Sequence, residues 1–117
     1  MEDFKSEFSR EERKLQTSAA MKKHNGRIPV FVYKHHRSQK NTQDISKHKF
    51  LVPTDITVGQ FVYIIRKNLK LDADQGIFIF VGNTLPPIAK LMSEIYREHG
   101  DEDGFLYVAF SYESVFG

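Results

Sequence analysis

The sequence predicts an α+β roll in which two helices precede a small sheet. Three observations carry that expectation. The chain has 117 residues, 40% apolar and 27% charged, a composition suited to one globular domain with one core. Its hydrophobic period changes from helical to alternating at Arg27. From there strand-like and helix-like segments complete the order α-α-β-β-α-β-α-β.

Phe4 and Phe8 share a helical face four residues apart, so the chain should start as a short helix. Ser9 followed by Glu12 fits a capping box, and the helix it opens should run to about His24 and stop at Asn25-Gly26. Its apolar residues are sparse (Leu15, Ala19, Ala20, Met21), which predicts a helix lying on a surface. In the strand from Arg27, Ile28, Val30 and Val32 fall on one face and Pro29, Phe31 and Tyr33 on the other. Both faces are therefore apolar, although Pro29, lacking an N–H, sits uneasily in a fully paired central strand. The polar segment Lys34–His48 reads as a long loop, and Lys49–Pro53 as a second strand ended by its proline.

Thr57 and Gln60 form a second capping box, opening a helix with Val58, Phe61, Val62 and Ile65 as its buried stripe. Asp72–Gly76 is turn chemistry. Ile77–Val81 is too short for a helix and rich in β-formers, which predicts a buried strand. Gly82-Asn83 turns the chain. Pro87 then opens a helix in which Ile88, Leu91, Met92, Ile95 and Tyr96 repeat at helical spacing, with Gly100 ending it as a C′ residue. Asp101–Gly104 turns into a last strand, Phe105–Phe110, and residues 111–117 carry no clear period.

Composition excludes several chemistries. The chain has no cysteine, which removes disulfides, Cys-ligated zinc, a thiol nucleophile and a thiol redox switch. The longest apolar run, Ile77–Val81, is too short to span a bilayer, and the first residues lack the apolar stretch of a signal peptide. A soluble, cytoplasmic protein is expected. No Gly-x-Ser-x-Gly, His-Glu-x-x-His or P-loop pattern occurs, so no enzymatic activity is expected. His35-His36 lacks a third spaced ligand for a metal, and Asp101-Glu102-Asp103 reads better as a turn than as a cation site. Glu94, Arg97 and Glu98 form an exposed charged helix face. Neither a metal nor a cofactor is expected.

The net charge of +2 conceals an asymmetry. Residues 1–40 hold ten Lys/Arg against five Asp/Glu, and residues 41–117 hold seven against ten. Between Lys22 and Lys49, eight basic residues face only Asp44. This region suggests an acidic partner: an acidic peptide, an anionic lipid surface or nucleic acid. Phe31, Tyr33 and Phe50 interleave with the basic residues as they do in single-strand binders, yet a two-faced strand needs the same aromatics for packing. A strand flanked by Lys47 and Lys49 also suits β-augmentation by an extended peptide. A terminal Gly117 is unbranched, so its carboxylate can pass through a narrow enzyme channel.

Seven strings occur in order: Arg27-Ile-Pro-Val, Lys49-Phe-Leu-Val-Pro, Thr57-Val-Gly-Gln-Phe-Val-Tyr, Ile77-Phe-Ile-Phe-Val, Asn83-Thr-Leu-Pro-Pro, Gly104-Phe-Leu-Tyr-Val and Phe116-Gly117. From about Phe4 to Gly117 the chain closely resembles the autophagy-related protein eight family of ubiquitin-like modifiers, including its GABARAP type. The resemblance implies a ubiquitin-like β-grasp fold, a four-stranded mixed sheet with two additional N-terminal helices. It divides the chain into a helical extension (1–26), a β-grasp core (27–110) and a tail (111–117).

It also implies a mechanism. The terminal glycine, here Gly117, is activated, passed to a conjugating enzyme and joined to phosphatidylethanolamine. Phe116 belongs to the tail that processing and deconjugating cysteine proteases recognise. Lipidation would move the protein from the cytoplasm to autophagosomal and related vesicle membranes, since two acyl chains anchor firmly. There it would recruit cargo receptors and adaptors bearing an aromatic-x-x-aliphatic motif; no nucleic acid partner is implied.

The aromatic pocket would be lined by Gln16, Ala20, Pro29, Phe31, Lys49, Leu51 and Phe105. The aliphatic pocket would use Phe50, Val52, Pro53, Ile56, Phe61 and Ile64, with Arg66 beside it. Arg27, Lys47 and Lys49 would meet acidic residues flanking the motif. For the apolar members core packing is the competing expectation, with equal weight for Phe61 and Ile64. The alternative to the whole reading is a basic-surface module for nucleic acid or anionic lipid that acts without conjugation. Three departures from the family bear on the pocket: Gln16 in place of Glu, Ala20 for a larger aliphatic residue, and Phe31 for Ile. The loop between the first two strands is also longer and more basic than in the yeast founding member.

Overall fold

Arg27–Lys34 forms β1, and its two apolar faces organise the rest of the chain. The computed structural model describes residues 1–114. Before β1 come α1 (Glu2–Glu7) and α2 (Arg10–Lys23); after it come β2 (Lys49–Pro53), α3 (Val58–Leu69), β3 (Phe78–Phe80), α4 (Met92–His99) and β4 (Leu106–Ser111). The sheet order is β2-β1-β4-β3. The two central strands run parallel, and each edge strand pairs antiparallel with its neighbour. This is the β-grasp arrangement with two added N-terminal helices.

Ile28, Val30 and Val32 point into the main core with Phe50, Val52, Leu106, Val108 and Phe110. There they meet Val58, Phe61, Ile65 and Leu69 of α3, and Met92 and Ile95 of α4. Each large side chain so buried contributes roughly 1.5–3 kcal/mol of transfer free energy. On the opposite face Phe31 and Phe105 pack with Phe4 of α1, flanked by Phe8, Tyr33 and Tyr107. A one-residue slip of β1 would exchange these two sets, so packing specifies the register strongly.

Pro29 is tolerated because of where β4 begins. Val32 N–H donates to His48 O at 2.8 Å, so alternation also turns the Val30 and Ile28 donors toward β2. The Pro29 nitrogen points the other way, and pairing with β4 starts only at Val30. A central strand thus contains a proline without losing a ladder bond.

Both capping boxes form: Ser9 Oγ accepts from Glu12 N–H at 3.2 Å, and Thr57 Oγ1 accepts from Gln60 N–H at the same distance. Three features depart from or go beyond these expectations. First, α2 lies on the surface as expected, but its buried contacts are polar. Leu15 is 71% and Met21 39% exposed, whereas Arg13 and Thr17 are buried. The Arg13 guanidinium pairs with the fully buried Asp103 carboxylate, and Thr17 Oγ1 donates to Asp103 O at 2.7 Å. Gly104, at φ +92°, allows this approach, because a Cβ there would lie 2.3 Å from Thr17 Oγ1.

Second, the last helix begins at Met92, not near Pro87, and Ile88 is 73% exposed. The first donors of α3 explain this: Val58 N–H bonds to Lys90 O at 2.8 Å and Gly59 N–H to Ile88 O at 2.9 Å. The segment before α4 lies across the start of α3 and satisfies its N–H groups, so it makes one turn, Lys90 N–H to Pro87 O at 3.1 Å, and does not continue as a helix. Gly100 then ends α4 with φ −56°. It is glycine for space, since a Cβ would come within 2.7 Å of Tyr96 O.

Third, the predicted buried strand shrinks to β3, an edge strand with Phe78 exposed. The last strand is shifted by one residue, from Phe105–Phe110 to Leu106–Ser111. The long loop forms as expected, but it supplies Ile45 to the core.

Candidate functional site

Among the described residues, β2 has β1 on one side and no strand on the other. Because Phe50 pairs with Val30, whose N–H faces β2, alternation directs the N–H and C=O groups of Lys49 and Leu51 outward. Leu51 O accepts from the Arg27 guanidinium at 3.3 Å. Pro53 has no N–H to offer, so the usable edge is short. Such an edge can accept one extended chain.

Beside it lies a cavity of about 240 Å³ between α2 and the sheet, lined by Gln16, Thr17, Ala20, Pro29, Lys49, Phe50, Leu51 and Phe105. Gln16 and Ala20 are one turn apart on α2, and Pro29 and Leu51 are cross-strand partners, so helix and hairpin each contribute one wall. Lys49 Nζ donates to Gln16 Oε1 at 3.0 Å across the mouth, and stands 5.0 Å from the Phe4 ring centre and 5.5 Å from that of Phe8. Lys47 Nζ is 4.6 Å from the Phe50 ring. An apolar cavity with the Lys49 ammonium at its rim can take an aromatic side chain from an acidic segment.

Of the expected aromatic-pocket residues, Phe31 alone does not line this cavity. Its ring stacks on Phe4 at 4.3 Å and meets Phe105 edge-on at 6.3 Å, so it backs the wall from behind. Thr17 and Phe50 line the cavity although they were not expected there. For Thr17 the available signal was its position three residues before Ala20 on one helical face.

The expected aliphatic set forms no comparable opening at its deepest members. Val52 and Phe61 are fully buried, and Phe50 packs edge-on against Phe61 at 5.9 Å. Ile56 and Ile64 are half-buried against this cluster. Arg66 is turned away: its guanidinium donates to Asp72 O at 3.0 Å and to Gln75 O, bracing the turn after α3.

The remaining charged candidates are engaged within the fold. Asp101 accepts from Lys5 at 3.1 Å, and Asp103 takes Arg13, Tyr107 and the Phe105 N–H, in keeping with the turn reading. Burial, then the hydrogen bond to Asp103, pushes the Tyr107 hydroxyl well above its usual range. His35 and His36 stack at 4.5 Å. Phe116 and Gly117 lie outside the described residues. No helix among the described residues is long and apolar enough to cross a membrane.

A four-stranded mixed sheet grasping α3, with two helices added before it, defines a ubiquitin-like protein. The profile of the family described as "Autophagy protein Atg8 ubiquitin like" matches residues 12–117. Autophagy-related protein 8 of Kluyveromyces lactis is 54% identical over 114 residues, covering 97% of this chain and 90% of the relative. Autophagy-related protein 8a of Arabidopsis thaliana is also 54% identical, covering 97% and 92%. Among solved structures, ATG8 of Trypanosoma brucei superposes with a TM-score of 0.88 at 36% identity, covering 97% of each chain. Plasmodium falciparum Atg8, solved in complex with a peptide of Plasmodium falciparum Atg3, gives 0.84 at 36% identity, covering 95% and 96%. The chain belongs to the Atg8 family of ubiquitin-like autophagy proteins.

Proposed function

We propose that the chain is an autophagy modifier joined through Gly117 to phosphatidylethanolamine on autophagosomal membranes. There it recruits cargo receptors and adaptors whose aromatic-x-x-aliphatic motif adds a strand to β2. The observation that carries the peptide half of this reading is the cavity between Gln16, Ala20, Pro29, Lys49, Leu51 and Phe105, opening beside an unpaired strand edge. The aromatic residue fills that cavity. The aliphatic residue rests on Ile56, Ile64 and Pro53 above the core residues Phe50, Val52 and Phe61. Arg27, Lys47 and Lys49 attract the acidic flank.

The conjugation half rests on family membership. The protein's own chemical contribution is a carboxylate, and the thiols belong to the activating enzyme, the conjugating enzyme and the cysteine protease that processes and releases the Phe116-Gly117 tail. The Plasmodium relative bound to an Atg3 peptide supports a conjugating-enzyme partner. Residues 1–26 act as a helical extension, 27–110 as the ubiquitin-like core and 111–117 as the reactive tail. The unconjugated protein is cytoplasmic and the lipidated one sits on autophagosomal vesicles.

Incubation with the conjugation enzymes, ATP and phosphatidylethanolamine liposomes should add the mass of one lipid less one water to the chain, as amide formation requires, and Gly117→Ala should abolish the shift. Equal lipidation of the two would refute the assignment of Gly117. Leu51→Ala and Lys49→Ala should each weaken binding of an acidic-flanked aromatic-x-x-aliphatic peptide by about tenfold. Unchanged affinity in both would place the peptide elsewhere. RNA binding with a steep salt dependence, indifferent to Gly117, would instead favour a module that acts without conjugation.

A further inference from the structure

Just past β4 the chain is fastened to the loop between β1 and β2. The Glu113 carboxylate accepts the Gln39 N–H at 3.0 Å, and the Tyr112 hydroxyl donates to Gln43 O at 2.9 Å. The Tyr112 ring also meets Phe110 of the main core edge-on at 6.0 Å. Glu113 N–H donates to Ser111 Oγ at 3.3 Å, which fixes the backbone that carries the carboxylate. These contacts join residues 69 and 74 positions apart in the chain.

The loop is braced for this task. Lys34 Nζ, at the end of β1, donates to Thr42 O at 2.9 Å and to Thr42 Oγ1 at 3.3 Å, closing the near half of the loop around its ammonium group. Thr42 N–H returns to Gln39 O at 3.2 Å, and Ser38 N–H to His35 O at 2.9 Å. His35 N–H donates to Phe110 O at 2.8 Å and Ile45 is buried in the main core, so the loop is pinned on both sides of Gln39. Loops this long without secondary structure are uncommon in compact domains unless they serve a function.

We propose that the β1–β2 loop clasps Tyr112 and Glu113 and thereby positions Gly117 for the activating enzyme. This rests on the conjugation reading above. Gly117 lies six residues beyond Ser111, a reach of at most about 21 Å, but only four beyond Glu113, at most about 14 Å. The clasp therefore shortens the tether and fixes where on the body it starts. An enzyme holding the body then finds the glycine within a smaller volume and has less chain to order on binding. The carboxylate of Glu113 makes its hydrogen bond charge-assisted, the stronger kind. Gln39 and Glu113 are positioning residues, acting on Gly117 through the chain between.

The test is activation of the full chain by the activating enzyme, followed as ATP–pyrophosphate exchange, beside hydrogen exchange at the Gln39 amide. Glu113→Ala should raise the half-saturating concentration of the chain about fivefold and leave the maximal rate unchanged. Glu113→Gln keeps an acceptor oxygen and should restore most of that loss. Exchange at Gln39 should quicken in Glu113→Ala and recover in Glu113→Gln, with α3 unaffected. Thr42→Val loosens the loop without touching residues 112–117. It should raise half-saturation in the same direction and add little to Glu113→Ala. Full additivity of the two would mean that Glu113 acts by touching the enzyme, and would overturn the clasp. So would an unchanged or lowered half-saturation in Glu113→Ala, or a loss confined to the maximal rate. Absence of any activation of the unmodified chain would overturn the conjugation reading and the clasp together.

Discussion

The two faces of the sheet are covered by opposite means. On one, α3 buries Val58, Phe61, Ile65 and Leu69 into a continuous apolar core. On the other, α2 docks through a buried ion pair, Arg13 with Asp103, and a hydroxyl bond from Thr17, beside the smaller Phe4, Phe31 and Phe105 cluster. Apolar contact is additive in area and tolerant of direction, so it sets how stable the domain is. A buried ion pair contributes little net stability but penalises every misplacement. It therefore sets where the helix lies. That matters because Gln16, Thr17 and Ala20 of α2 form one wall of the peptide cavity.

The largest effect should come from the apolar side. Phe61→Ala, at a fully buried site, should cost about 4 kcal/mol in urea unfolding, lowering every probe together. Asp103→Ala leaves the Arg13 charge buried and unpaired and should cost about 3 kcal/mol. Here the faster hydrogen exchange should concentrate in α1, α2 and residues 101–104. Equal acceleration through α3 would show that the two faces are one cooperative unit.

The capping boxes sharpen the comparison, because the same local device occurs in both regions. Thr57→Ala and Ser9→Ala should each cost about 1 kcal/mol of helix stability. Only Thr57→Ala should lower the global melting temperature by that full amount; the Ser9 loss should be read mainly as exchange in α2.

The smallest effect belongs to His35, which stacks on His36 and tilts over Phe80 at 5.6 Å. Burial, followed by the His36 and Arg37 charges, lowers its pKa, and Nδ1 accepts the Arg37 N–H at 3.1 Å. A lowered folded pKa means that the fold prefers the neutral ring. That contribution is full above the ordinary histidine range and is lost as pH falls through it toward the lowered value. His35→Gln should therefore flatten the acid decline of the melting temperature, and superimposable profiles would remove His35 from the account.

What could be read in advance was mostly local. Ser9 with Glu12 and Thr57 with Gln60 are three residues apart, so each cap needs only its own turn. The two-faced character of β1 followed from alternation alone. Ile88 and Leu91 misled because their spacing is truly helical, while the carbonyls that would have continued that helix serve α3 instead. The docking face of α2 was illegible for a related reason: Arg13 meets a carboxylate 90 residues away, and nothing near Arg13 announces it. At the cavity, the hairpin residues Pro29, Lys49 and Leu51 were expected and do line it. Phe31 was expected too, but Phe4 stacks on it from an element whose packing partner no local pattern names.

By itself, the sequence determined the element order, the capped starts of α2 and α3, the basic edge and the Atg8-family strings, all of which depend on neighbours within one turn or one strand. The tertiary structure alone decided that the buried face of α2 is polar, that residues 87–91 make a single turn and no helix, and that an apolar groove is left open beside the β2 edge. Those outcomes turn on which distant donor meets which acceptor, and only the closed fold brings them within hydrogen-bonding distance.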